Sequence, residues 1–214
     1  MTNETTRAGF IALVGAPNVG KSTLINTLVG TKVSIVSHKS QTTRTKILGI
    51  CIADHAQIIF IDTPGIFKPR RRLDRAMVAA AWGGAGYADY ILLLVDAARG
   101  IDDATQQIIA NLKDNGQAIL VAINKIDIVN KQTLLSMIAK LQTFNQFDQV
   151  FMISATLGDG ITDLLAYLKC LVPEGPWLFP EDQVSDMPER LLAAEITREK
   201  LYKELHQELP YATT

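Results

Sequence analysis

The stretch Gly15-Ala16-Pro17-Asn18-Val19-Gly20-Lys21-Ser22, continued by Thr23, is the part of the chain best suited to chemistry. Glycine lets the backbone curl tightly enough for successive N–H groups to point at one anion. A lysine directly behind the curl adds a mobile positive charge, and a serine hydroxyl is a hard oxygen donor for Mg²⁺. The pattern matches GxxxxGK[ST], whose expected ligand is a nucleotide phosphate chain, provided a strand precedes it and a helix follows. Both flanks are present. Residues 10–14 form an apolar run bounded by Gly9 and Gly15, and residues 21–29 read as a helix that stops at Gly30.

Three further clusters follow the ends of apolar runs. Asp62-Thr-Pro-Gly65 places a carboxylate where it can hold Mg²⁺ through its water shell, and the Gly65 N–H where it can meet a γ-phosphate. By itself this is an ordinary Pro-Gly turn. Asn124-Lys125-Ile126-Asp127 supplies a carboxylate able to accept from both the ring N–H and the exocyclic amine of guanine. Adenine offers no such donor pair at that edge, and a site built on one discriminates by roughly 10⁴–10⁵. Asn124 and Lys125 would brace the loop and cover the base. Ser154 and Ala155 close the set, with backbone able to contact the guanine carbonyl. Each cluster alone is weak, because turns and helix caps use the same residues. Four in this order, each after a strand, point to the carboxyl edge of a parallel sheet, where such sheets bind ligands.

The elements that must position them alternate. Strands are expected at 10–14, 47–53, 57–61, 90–95, 117–123 and 149–153, with a turn at Asp54 and His55. Helices are expected at 21–29, 73–81, 102–114, 131–143, 161–171 and 188–205. Residues 31–45 have no sustained period and read as a loop. With GxxxxGK[ST] between strand and helix, this predicts an α/β P-loop NTPase fold. Its sheet should be mostly parallel and flanked by helices, with a C-terminal linker helix. Pro173, Pro176, Pro180 and Pro188 punctuate a linker after residue 172. The expected organisation is a GTPase domain at 1–172 and a linker with its helix at 173–214.

Composition fits. The 214 residues are 48% apolar and 20% charged, with a net charge of −1. Residues 1–172 carry +4 and residues 173–214 carry −5, which reads as an acidic solvated segment at the end. Cys51 and Cys170 lie in apolar stretches without metal-ligand spacing and are expected to be buried thiols. The apolar run at 90–95 is far too short to cross a bilayer, and the N-terminus lacks a signal-like apolar core, so a cytoplasmic protein is expected.

The four motifs resemble those of the translation-factor-related class of Ras-like GTPases. Within that class the chain is similar to the Era family, bacterial GTPases of small ribosomal subunit maturation. Gln41-Thr-Thr-Arg44, Phe179-Pro-Glu-Asp182, Glu195-Ile-Thr-Arg-Glu-Lys200 and Glu208-Leu-Pro-Tyr211 carry the resemblance beyond the nucleotide motifs. It implies GTP hydrolysis to GDP and phosphate, with Lys21, Thr43 and Gly65 serving the reaction. Mg²⁺ would be held by Ser22, Thr43 and Asp62. It identifies residues 31–45 as switch I, where Thr43 is preferred over Thr42 as the metal-binding threonine. Ile66 stands where Ras-like enzymes place a catalytic glutamine, and an isoleucine cannot align water by hydrogen bonding. Relatives with an apolar residue there use K⁺ held partly by an asparagine matching Asn18, which reads equally as a turn residue. Lys68, Arg70, Arg71, Arg72 and Arg75 form a basic cluster that is either a solvated face or an RNA contact.

The implied partners are guanine nucleotide, ribosomal RNA and the small subunit, with peripheral membrane association also admitted and DNA not expected. The family also carries a KH module that clamps RNA through a GxxG loop. Gly175 is the only glycine after residue 172, so no GxxG lies in that segment, and the chain is expected to stop short of the module. The rivals are a nucleotide-dependent binding module with negligible turnover and a related GTPase of tRNA modification.

Overall fold

The computed structural model describes residues 5–36, 47–63, 83, 86, 88–112, 117–144 and 147–204. Six strands form one sheet: β1 (Arg7–Val14), β2 (Ile47–Ala53), β3 (Ala56–Asp62), β4 (Tyr90–Asp96), β5 (Ala118–Asn124) and β6 (Gln149–Met152). Their spatial order is β2-β3-β1-β4-β5-β6, with every pair parallel except β2 with β3. The helices are α1 (Lys21–Val29), α2 (Asp103–Leu112), α3 (Lys131–Gln142), α4 (Ile161–Leu171) and α5 (Glu189–Glu204). The chain steps one way from β1 through α1 to β3, and the other way from β4 through α2 and α3 to β6. Right-handed crossovers therefore put α1 on the opposite face from α2 and α3. The order reverses beside β1, so the crevice at the carboxyl ends of β1 and β4 is the natural ligand site.

The central strands are buried on both faces, which is why they read as near-continuous apolar runs. Ile11, Leu13, Ile58, Phe60, Ile91, Leu93, Val121 and Ile123 have no solvent exposure. Each such side chain contributes about 1.5–3 kcal/mol of burial free energy. Every predicted element among the described residues is present, with ends shifted by up to three residues. The largest shift is at β1, which begins at Arg7 rather than residue 10. Arg7-Ala8-Gly9 has no apolar run, and its extension comes from pairing with Ala56, Gln57 and Ile58. The helix expected at 73–81 lies outside the described residues.

One expectation is corrected. Cys51 is buried, and burial pushes its thiol up to about 11, but Cys170 is exposed. Helix α4 buries Ile161, Leu164 and Leu168, so position 170 turns about 200° from Leu168 toward solvent.

The acidic segment after residue 172 is bonded along the sheet. Ala8 N–H donates to Pro173 O at 3.0 Å and Gly175 N–H to Thr6 O at 2.9 Å. Gln57 is fully buried in β3, and both ends of its amide are bonded to the returning chain. Oε1 accepts from the N–H groups of Leu178 (2.8 Å) and Phe179 (3.0 Å), while Nε2 donates to Phe179 O (2.8 Å). Ile50 N–H then donates to Val184 O and Leu48 N–H to Asp186 Oδ1, covering the outer edge of β2.

Candidate functional site

The loop after β1 is shaped by what surrounds it. A Cβ on Gly15 would stand 2.7 Å from Leu94 O, so β4 closes directly on the first glycine. Gly20 has φ 101°, and a Cβ there would strike the Asn124 carboxamide. Only glycine meets both demands at the start of α1. Lys21 is buried, and its ammonium donates to Gly15 O (3.1 Å) and Ala16 O (3.0 Å) across the mouth of the loop. Burial pushes Lys21 down to about 8, with nearby Asp62 partly offsetting the shift.

Asp62 ends β3 opposite Leu13 of β1, and its Oδ2 accepts from Ser22 Oγ at 2.9 Å. Both residues are buried. The donors gathered here are hydroxyl and carboxylate oxygens, the set a small hard cation takes. Among the described residues no group of three His, Cys, Asp or Glu could hold a metal. A cation at Ser22 and Asp62 would leave most of its shell to other oxygen donors, among them water and phosphate oxygens, which is how Mg²⁺ is bound beside phosphates.

The second half of the site is braced to the first. Asn124 is buried, with Nδ2 donating to Val19 O (2.8 Å) and Oδ1 accepting from Ala155 N–H (2.9 Å). One amide thus joins the loops after β1, β5 and β6. Thr27 Oγ1, from α1, donates to Ala155 O at 2.7 Å. Lys125 adopts φ 66°, uncommon for a residue with a side chain. Its ammonium donates to Asn18 O (2.8 Å) and to Asp96 Oδ2 (2.6 Å). Arg99 adds a bond to Pro17 O at 2.9 Å. Asn18 itself has φ 63°, which suits a turn asparagine. Asp127 is exposed on the short 3₁₀ turn Ile126–Ile128, leaving its carboxylate open to a base. Ser154 is fully buried and its Oγ accepts from Leu157 N–H at 3.2 Å, so it shapes the loop.

The structure therefore brings together Gly15, Ala16, Pro17, Asn18, Val19, Gly20, Lys21, Ser22, Asp62, Asn124, Lys125 and Ala155. Thr23 lies on α1 just behind, its carbonyl 3.0 Å from Thr27 Oγ1. Thr42, Thr43, Gly65, Ile66 and the basic cluster at 68–75 lie outside the described residues. Asp96 and Ser34, like Thr27 and Arg99, were missed by sequence reasoning. Asp96 ends β4 as Asp62 ends β3, a position that could have flagged it. Ser34 donates to Asp62 from a loop with no motif, and nothing in the sequence marks it.

Comparison with known proteins bears on this crevice. The family model for 50S ribosome-binding GTPases matches residues 10–125. GTPase Era of Sinorhizobium medicae is 60% identical over 208 residues, covering 97% of this chain and 67% of the relative. That of Brucella melitensis is 58% identical over 209 residues, covering 98% and 67%. The chain thus spans about two thirds of the length of the relatives it matches. A crystal structure of Era with MgGDPNP and nucleotides 1506–1542 of 16S ribosomal RNA superposes with a TM-score of 0.87. It has 43% identity over 91% of this chain and 67% of that one. A substituted Aquifex aeolicus Era bound to GDP and AlF4⁻ gives 0.89 at 42% identity, covering 95% and 69%.

Proposed function

The chain belongs to the Era family of GTPases, and from that premise we propose that it is a GTP-hydrolysing switch of small ribosomal subunit assembly, working in the cytoplasm. The observation carrying the nucleotide assignment is the Asn124 carboxamide, bonded at once to Val19 O and Ala155 N–H. It unites the phosphate-side and base-side loops into one crevice. Asp127 stands at its open end to choose guanine.

Lys21 supplies the charge. Its ammonium rests on two carbonyls of its own loop and is dehydrated by burial, so it turns readily to phosphate oxygens. The backbone N–H groups of the loop at residues 15–20, apart from Pro17 which has none, and the N-terminus of α1 add donors. Mg²⁺, when bound at Ser22 and Asp62 and completed by Thr43, adds positive charge against the charge developing on the transferred phosphoryl group. Ser22 and Asp62 orient one another through their 2.9 Å bond. In this reading the γ-phosphate holds both switch loops, Gly65 through its N–H and Thr43 through Mg²⁺, and its loss would release them.

Residues 1–172 form the GTPase domain in this reading, and 173–214 lead toward an RNA-binding module. The partner is ribosomal RNA of the small subunit, as the 16S complex of the relative suggests. Among the described residues no helix is long and apolar enough to cross a membrane.

The test is base choice. The chain should bind GDP and release phosphate from GTP, with ADP failing to compete. Asp127→Asn should weaken GDP and favour xanthosine diphosphate, because an amide can donate to the extra xanthine carbonyl. Unchanged GDP affinity in Asp127→Asn refutes the assignment.

A further inference from the structure

Ser34 has no solvent exposure, although it lies in the polar loop that leaves α1 at Gly30. Its Oγ donates to Asp62 Oδ2 at 2.6 Å, the same oxygen that takes the Ser22 hydroxyl at 2.9 Å. The placement is built, because Asn26 of α1 grips the backbone on both sides of it. Asn26 Oδ1 accepts from the N–H groups of Val33 (2.9 Å) and Ser34 (3.0 Å), and Nδ2 donates to Ser34 O (2.8 Å). Val33 and Ile35, flanking Ser34, are each 1% exposed. Lys32 is paired with buried Glu199 of α5, so residues 32–34 are held from two helices.

A serine fixed by this many contacts, with its hydroxyl aimed at one carboxylate oxygen, constrains that carboxylate. A hydroxyl that ligates a cation through a lone pair can still donate its hydrogen, so Ser22 can serve the metal and Asp62 together. Among the described residues the Ser34 hydroxyl bonds to Asp62 alone. Groups that orient a metal-binding carboxylate typically change metal affinity 10–100-fold when removed. We propose that Ser34 is a positioning residue of the divalent-cation site, holding the Asp62 carboxylate for Mg²⁺ from the entrance of switch I. This rests on the reading that Ser22 and Asp62 form that site.

The test follows release of a fluorescent GDP analogue from the 214-residue chain as Mg²⁺ is titrated from chelator to millimolar. In the unaltered chain Mg²⁺ should slow release. Ser34→Ala should move the midpoint of that slowing to about tenfold higher Mg²⁺, while the rate in chelator stays as it was. A general loosening of the fold would raise the rate in chelator as well. Asn26→Ala leaves the hydroxyl in place but frees its backbone, and should move the midpoint the same way. The double variant should go no further than the larger single one. An unmoved midpoint in Ser34→Ala, or in Asn26→Ala should Ser34→Ala fail to fold, overturns the proposal. Release indifferent to Mg²⁺ in the unaltered chain overturns the site reading instead, and Ser34's role with it.

Discussion

Asn124→Ala removes two hydrogen bonds in a buried place, the donation to Val19 O and the acceptance from Ala155 N–H. Both partners stay behind. Leaving one buried polar group unsatisfied costs about 1–3 kcal/mol, so the substitution should destabilise the free chain by about 2–4 kcal/mol once the loops relax toward water. For a chain of this size about 1 kcal/mol moves the melting temperature by about 2–4 °C. Thermal and urea unfolding without nucleotide should thus show a loss of about 5–15 °C and an unchanged urea m-value. GDP affinity should fall by more than about tenfold beyond this, because the phosphate-side and base-side loops no longer share a brace, and tenfold corresponds to about 1.4 kcal/mol. Asn124→Asp keeps the acceptor for Ala155 but sets an oxygen against Val19 O, and should be at least as damaging. Melting within 1 °C of the parent, together with unchanged GDP affinity, would refute the bracing role.

Lys21 makes affinity depend on pH. Below about 8 its ammonium is charged in the free chain. Above that, toward its ordinary value of 10.5, nucleotide binding must take up a proton, so GDP affinity should fall by up to about tenfold per pH unit. Calorimetry at pH 9 in buffers of different ionisation enthalpy should detect that proton. The free chain should move the opposite way and gain stability as pH rises through about 8, because a lysine whose folded pKa is lowered binds more protons when unfolded. Phosphate release should be faster in K⁺ than in Na⁺ at equal ionic strength, and Asn18→Ala should abolish the difference while sparing GDP binding. Indifference of the parent to K⁺ returns Asn18 to a turn role. A version extended through a KH module should bind 16S ribosomal RNA more tightly than the 214-residue chain at matched salt. Equal binding would move the RNA contact to the GTPase domain, with the cluster at Arg70, Arg71 and Arg72 as the first place to look.

The nucleotide loops were legible in sequence because their chemistry is local. A tight anion-binding curl needs glycine, a lysine and a hydroxyl at fixed separations along one stretch of chain, and no distant residue can substitute for them. The strands were legible for a related reason, since burial on both faces demands unbroken apolar runs such as Ile91 to Val95. The reading of Asp127 as the base-choosing carboxylate needed no tertiary partner either, because it rests on what one side chain can offer a ligand. What the residues around Asn124 do to one another was not. Val19, Asn124 and Ala155 are separated by long stretches of chain, and an amide's partners depend on where three loops meet in space. The start of β1 at Arg7 was hidden because its pairing with Ala56 overrides a weak local signal. Gln57 reads only as the polar first residue of an apolar strand, and only the returning chain at Leu178 and Phe179 gives its buried amide a purpose. Ser34 and Asp96 belong with it. A polar side chain declares its type in sequence, but its hydrogen-bond partner is chosen by packing, so the braces of this site existed only once the sheet had brought its loops together.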